Sequence, residues 1–197
     1  MSYQLWRDTT EPGHCVLVAT RIKDVGRLHL GEAVPEDFGQ RVAGQPITFS
    51  MSDLAPDDFM LSDNYDVSGQ IVVSRKLRDA LAQALSDDSI QYLPAAIKNH
   101  KGRIESSDYF IVHPHRVVDC IDLEKSQIEW NRLNPSQLSY SKGLIIDAQR
   151  IPPGYELFRL KHWGARILAS SNLTKRLLDG GFVGLRFVDP ATYTGIG

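Results

Sequence analysis

The feature that most constrains the fold of this chain is an apolar strand that ends in a serine and leads directly into an amphipathic helix. The first example is the strand Gln70–Ser74, which precedes the helical segment Ser74–Leu85. Leu77, Leu81 and Leu85 recur at intervals of four residues and therefore lie on one face of that helix. Ser74 can accept a hydrogen bond from the first helical turn, so the sequence predicts that it caps the helix.

The same order of elements occurs again near the C-terminus. Arg166–Ser170 is the predicted strand, Ser171–Leu178 the helix, and Gly184–Val188 the strand that follows. Gly180 and Gly181 come directly after the helix, where glycine is favoured because it adopts the left-handed conformation without strain.

Two similar strand–helix–strand units, near 71–97 and 167–188, predict an α+β fold with a mixed or antiparallel sheet that both units support. Two copies of roughly 25 residues are too few for a solenoid, which needs at least three. Pro94 predicts that its strand is an edge strand or is bulged, because proline donates no backbone hydrogen bond. Further strands are predicted at His14–Ile22, Ser89–Ile97, Asp108–Val112, Arg116–Ile121, Gly143–Ile146 and Glu156–Arg159.

Charged residues are distributed unevenly along the chain. Residues 1–70 contain 5 Lys and Arg against 11 Asp and Glu, a net charge of −6, whereas residues 71–197 contain 17 against 13, a net charge of +4. We therefore expect an acidic, irregular N-terminal part over 1–70 and an α+β region over 71–197. A length of 197 residues is equally compatible with a single domain.

The acidic charge is concentrated in Ser50–Ser68, which contains five aspartates and neither lysine nor arginine. An acidic surface accelerates the capture of a basic partner, and interleaved aromatic side chains can anchor it. The alternative is a solvated acidic loop with short helical turns. The predicted partner-binding residues are Asp53, Asp57, Asp58, Phe59, Asp63, Tyr65 and Asp66.

Histidine and aspartate side chains suggest a weaker, catalytic hypothesis. On a strand, His113 and His115 would face the same side, and Asp119 follows them closely enough to suggest a hydrolase. Pro114 interrupts the strand, however, and a metal site needs a third ligand that the neighbouring sequence does not supply. The chain has no nucleophile elbow, phosphate-binding loop or dinucleotide fingerprint. We expect no catalytic residue, no metal and no cofactor.

Other classes of partner and compartment are constrained by composition. A net charge of −2 does not favour nucleic acid, and the basic run Lys98–Arg103 is more typical of a solvated hairpin tip. No apolar run approaches the ~20 residues that a membrane helix requires, and the first residues do not resemble a signal peptide. Cys15 and Cys120 lie in apolar runs and are expected to be buried thiols. These observations predict a cytoplasmic protein.

Four blocks occur in order between about residues 70 and 188: IVVSRKLRDAL, then YFIV followed by VVDCID, then LFRL, and finally GFVGLRF. Their order and spacing resemble the bacterial family typed as immunity protein eleven, first described as a domain of unknown function in myxobacteria. The resemblance implies a role in polymorphic toxin systems, in which such a protein binds and neutralises a co-encoded toxin by contact. It implies no catalytic residues. The alternatives are a secretion-system adaptor or chaperone, and a hydrolase that uses Asp119 with His113 and His115.

Overall fold

The computed structural model describes residues 2–18, 21–40, 45–85 and 88–196, which form fourteen strands and three α-helices. The helices are α1 Gly26–His29, α2 Arg75–Ala84 and α3 Ser171–Asp179, with 3-10 turns at Ala148–Arg150 and Pro190–Thr192. The strands are β1 Tyr3–Asp8, β2 Leu17–Val18, β3 Ile47–Met51, β4 Asn64–Val67, β5 Gln70–Ser74, β6 Ile90–Lys98, β7 Ile104–Pro114, β8 Val117–Val118, β9 Ile128–Trp130, β10 Leu138–Lys142, β11 Leu157–Leu160, β12 Trp163–Ser170, β13 Leu185–Val188 and β14 Thr194–Ile196.

The described strands form three sheets, with the orders β2-β3-β6-β7-β5-β4, β13-β1-β12-β11-β8 and β14-β10-β9. The two larger sheets are mixed, because β3 runs parallel to β6 and β11 runs parallel to β8. The predicted combination of a mixed sheet with a few helices is thus confirmed. We expected both strand–helix segments to support one sheet. They do not, since β5 lies in the first sheet and β12 in the second.

The predicted Ser74 cap is present, and of the three candidates for the second helix, Ser170, Ser171 and Asn172, the cap is Ser170. The Ser74 hydroxyl oxygen accepts a hydrogen bond from Leu77 N at 3.3 Å, and Ser170 accepts one from Leu173 N at 3.1 Å. Each helix then leads to a strand that is parallel to the preceding one and separated from it by an antiparallel neighbour, β7 in one case and β1 in the other. Leucines from both helices, including Leu77 and Leu173, pack in one apolar core.

Pro94 lies in an interior strand, so the edge-strand alternative is wrong, whereas its strand is bulged, although just after Pro94 and not at it. It faces Phe110 of β7, and the pairing of β6 with β3 begins only at Ala95. The register with β7 shifts between Ala95 and Ile97. Proline is therefore tolerated because β3 takes no hydrogen bond at that position.

Three predicted strands are shorter than expected or absent. The segment 14–22 is extended only at Leu17–Val18 where it is described, and residues 19–20 lie outside the described part of the chain. The segment 116–121 is a strand only at Val117–Val118. The segment 143–146 is no strand, because Gly143 has a φ of +102° and the Leu144 N–H donates to Pro190 O instead of a ladder partner.

The N-terminal residues contribute to both large sheets. Strand β1 lies between β12 and β13, while β2, β3 and β4 belong to the six-stranded sheet. Cys15 and Cys120 are buried free thiols, as predicted. Of the helices described here, none has the length and apolar character needed to cross a lipid bilayer.

Candidate functional site

The connection between β3 and β4 carries most of the residues that the sequence predicts to bind a partner. We call residues 53–60 the acidic loop. Asp53 and Asp57 are exposed and Asp58 is half-buried. Phe59 is 68% exposed and Leu54 is 97% exposed, and Met60 also faces solvent. Carboxylates and large apolar side chains therefore occupy the same surface.

Backbone hydrogen bonds hold the acidic loop in place. Met60 N donates to Gly13 O at 3.0 Å, and Cys15 N donates to Met60 O at 2.9 Å. His100, at the turn between β6 and β7, places Nε2 3.2 Å from the Asp58 carbonyl oxygen and Nδ1 3.7 Å from the Asp53 carboxylate. The loop is thus tied to two neighbouring segments while its apolar side chains point away from the core.

Three of the predicted partner-binding residues take part in internal contacts. Asp63 accepts hydrogen bonds from Ser74 Oγ at 2.6 Å and Val183 N at 3.0 Å, which joins β4 to the start of α2 and to β13. Tyr65 is buried, and its hydroxyl oxygen accepts a hydrogen bond from Ser62 N at 2.7 Å. Burial raises the pKa of the Tyr65 hydroxyl. Asp63 and Tyr65 therefore stabilise the fold through internal contacts.

Asp66 is the third predicted partner-binding residue with internal contacts, and its side chain is 3% exposed. It forms an ion pair with Arg7 of β1, lies 3.9 Å from Arg166 of β12 and accepts a hydrogen bond from Gly69 N. The structure thus brings Asp53, Asp57, Asp58 and Phe59 together on the surface and directs Asp63, Tyr65 and Asp66 inward.

The side chains of the hydrolase hypothesis do not converge on a common point. Arg159 Nη2 donates to His113 Nδ1 at 3.3 Å, so His113 carries its proton on Nε2, which donates to Glu32 O at 2.8 Å. Burial, reinforced by the charge of Arg159, lowers the pKa of His113 to about 4. Both nitrogens of this fully buried imidazole are therefore engaged.

The other two members of that hypothesis have different partners. His115 Nε2 donates to Asp88 O at 3.0 Å. Lys161 donates to Asp119 at 2.7 Å, and this hydrogen bond lowers the pKa of the Asp119 carboxyl. Across the described residues no three His, Cys, Asp or Glu side chains lie close enough to hold a metal ion.

The basic run Lys98–Arg103 forms the turn between β6 and β7, as the sequence predicts. Asn99 Oδ1 accepts hydrogen bonds from the backbone of Lys101 and Arg103. His100 is the residue of this turn that contacts the acidic loop. The sequence did not indicate this contact, because 42 residues separate His100 from Asp58. Leu54 and Met60 were also missed, although apolar residues between aspartates are an available signal.

Comparison with known proteins gives one family match. The model of the immunity protein family Imm11 matches residues 2–192, nearly the whole chain. The match includes the N-terminal residues that the four sequence blocks do not cover. No curated protein matches the chain.

Proposed function

Because this chain belongs to the Imm11 immunity protein family, we propose that it binds and neutralises a co-encoded bacterial toxin by protein–protein contact, without catalysis or a cofactor. Membership of the family supports toxin immunity in general. The contact surface is our further assignment, and it rests on the acidic loop.

The observation that carries this assignment is the exposure of Leu54, Phe59 and Met60 beside aspartates. Exposed apolar area costs roughly 25 cal/mol per Å² relative to burial, so a partner that covers these side chains gains free energy. Aromatic and other large side chains at the centre of an interface supply much of its affinity. The apolar members of the loop thus account for affinity.

The charge of the loop indicates a basic partner. Asp53, Asp57 and Asp58 belong to the same loop as the apolar side chains, and charged residues at the rim of an interface chiefly increase the association rate. Toxins that act on nucleic acid are often basic, because they must approach phosphate groups. The anchoring of the loop by Gly13, Cys15 and His100 lowers the entropy lost on binding.

The first experiment is a pull-down with the tagged full chain from its own host, followed by an activity assay of the captured toxin. We expect the Asp57→Asn, Asp58→Asn double variant to lower the association rate by about threefold to tenfold, with a weaker salt dependence, because two charges that steer the encounter are lost. The matched control is Glu36→Gln, Asp37→Asn, which removes two exposed charges from another loop.

The contact surface and the neutralisation of the toxin are tested by different outcomes. Equal association rates for the two double variants would contradict the acidic loop as the contact surface and leave immunity intact. A toxin that stays active when bound would contradict neutralisation and support the adaptor or chaperone alternative.

Three expectations from the sequence are kept as proposals of the same kind. They are action in the cytoplasm, an internal duplication that relates the two strand–helix–strand units, and the domain arrangement, which is either an acidic N-terminal part, 1–70, beside the region 71–197 or a single domain. Of the two domain arrangements, we favour a single domain, since β1 pairs with both β12 and β13.

A further inference from the structure

A cleft of about 510 Å³ lies between β1, the first half of β12 and the loop that joins β9 to β10. Its size falls within the usual range for small-molecule sites. The side chains that carry the argument are Arg7, Asp66, Asn131, Gln137, Trp163 and Arg166. None of them belongs to the acidic loop.

Cationic groups outnumber carboxylates around this cleft. Arg7 and Arg166 share the single carboxylate of Asp66. Arg159 lies directly behind the wall, where it is fully buried and donates to Gly164 O at 2.6 Å. No carboxylate in the described part of the chain contacts Arg159. The negative charge of Asp8 also acts on Asp66. If both carboxylates are counted, they are still outnumbered by the three guanidinium groups of Arg7, Arg159 and Arg166.

Burial and neighbouring positive charge both lower the pKa values of groups that line the cleft. His29 lines the cleft, and burial together with the charges of Arg159 and Arg166 lowers its pKa to about 4. Burial is also the largest effect on Arg166, whose pKa it lowers; the charge of Arg7 acts in the same direction, while Asp66 and the hydrogen-bonded Tyr193 oppose it. Negative charge added nearby would oppose the part of each shift that comes from the neighbouring guanidinium groups.

Trp163 supplies the second independent observation. Its side chain is 1% exposed and lines the cleft, and its indole Nε1 has no hydrogen-bond partner among the residues that the structure describes. The indole of Trp6, equally buried, donates to Asn64 Oδ1 at 2.8 Å. The nitrogen itself is covered, and the Arg166 guanidinium lies 5.3 Å from the ring centroid. A buried donor without an acceptor costs free energy, which an acceptor that reached this nitrogen from the cleft would recover.

We propose that this cleft binds an oxyanion, a phosphate or carboxylate group, with Arg7, Arg166 and the Trp163 indole N–H as donors. Guanidinium groups suit this ligand because their fixed N–H groups match the geometry of phosphate and carboxylate oxygens. The site goes beyond toxin neutralisation and shares no residue with the acidic loop. Its failure and the failure of the proposed function are therefore distinguishable.

The test is a titration of the ¹⁵N-labelled full chain with inorganic phosphate, followed through the three tryptophan indole N–H signals. We expect a saturable shift of the Trp163 signal, identified with Trp163→Phe, that sodium chloride at equal ionic strength does not reproduce. Gln137 lines the cleft and is half-buried. Gln137→Glu should weaken phosphate binding and Gln137→Lys should tighten it, each by about threefold or more.

Gln149→Glu and Gln149→Lys are matched controls, because they change net charge equally at an exposed position outside the cleft. A linear or absent response, or equal effects at positions 137 and 149, overturns the proposal. A hexaglutamate peptide distinguishes the source of the oxyanion. Displacement of phosphate by this peptide, with the same dependence on position 137, places the oxyanion on a protein chain, whereas binding of phosphate alone places it on a small molecule.

Discussion

The imidazoles of half-buried His29 and fully buried His113 both feel the charge of Arg159, and both have a pKa of about 4 against an ordinary value of 6.5. Burial is the main cause for each, and the neighbouring guanidinium charge adds to it. Neither imidazole gains a proton in the folded state at neutral pH. His29 accepts a hydrogen bond from the Gln70 amide at 2.6 Å, and protonation would turn that acceptor into a donor facing a donor.

These two residues make the free energy of unfolding depend on pH. Between pH 6.5 and 4 the unfolded chain binds more protons at these positions than the folded chain, so stability falls as the pH falls through this window. Each imidazole contributes up to about 3 kcal/mol. We expect His29→Gln, His113→Gln to flatten the difference between urea unfolding at pH 7 and pH 4.5. His14→Gln, which leaves both of these imidazoles in place, is the control, and an equal slope in the wild type, the double variant and the control would contradict the assignment.

The elements of this fold were predictable where the signal is local. The Ser74 cap, the leucine face of α2 and the turn at Asn99 all depend on residues within one or two turns of each other. Tyr65 and Asp66 were not predictable in the same way. Their partners include Cys15, 50 residues away, and Arg166, so only the assembled sheets show that these side chains face inward.

In the candidate site, too, local features were predictable from the sequence and contacts between distant residues were not. An acidic, partly aromatic loop was apparent from Ser50–Ser68, and its surface position at Asp53 and Phe59 agrees with that pattern. The cleft was not apparent, because Arg7, Asp66 and Trp163 come from three distant segments. Each of these residues, taken alone in the sequence, has an ordinary explanation as a surface charge or a core aromatic.

The tight turn between β4 and β5 is an element whose geometry admits few residues. Ser68 and Gly69 both have positive φ, at 53° and 80°, and a Cβ atom on Gly69 would lie 2.6 Å from Ala165 Cβ. Gly102, in the turn between β6 and β7, also has a positive φ but has open space around the Cβ position.

These two glycines form a matched pair for a stability measurement. Gly102→Ala should lower the free energy of unfolding by about 1 kcal/mol, the cost of the left-handed conformation alone. Gly69→Ala should cost about 1–3 kcal/mol more, because β12 must also move away from the added methyl group. Urea unfolding of both variants at pH 7 checks this difference. Equal losses would show that the contact with Ala165 has no energetic weight.

At the scale of the whole molecule, β1 joins regions that are distant in sequence. Leu5 and Trp6 point to opposite faces of the strand and are buried in two different apolar cores. The Trp6 indole donates to Asn64 Oδ1, and the Asn64 amide donates in turn to Arg7 O and Gly184 O. One short strand therefore links the six-stranded sheet to the five-stranded sheet.

This arrangement predicts that the chain unfolds as one cooperative unit and that β1 carries much of its stability. Trp6→Ala should lower the free energy of unfolding by about 3–5 kcal/mol, because it leaves a cavity and an unpaired Asn64 carbonyl. Trp130→Ala, at a partly exposed tryptophan, is the control and should cost far less. Tryptophan fluorescence and far-ultraviolet circular dichroism should follow a single urea transition in the wild type. Two separated transitions would instead support independent folding of 1–70 and 71–197, and a small effect of Trp6→Ala would show that β1 is not what joins the sheets.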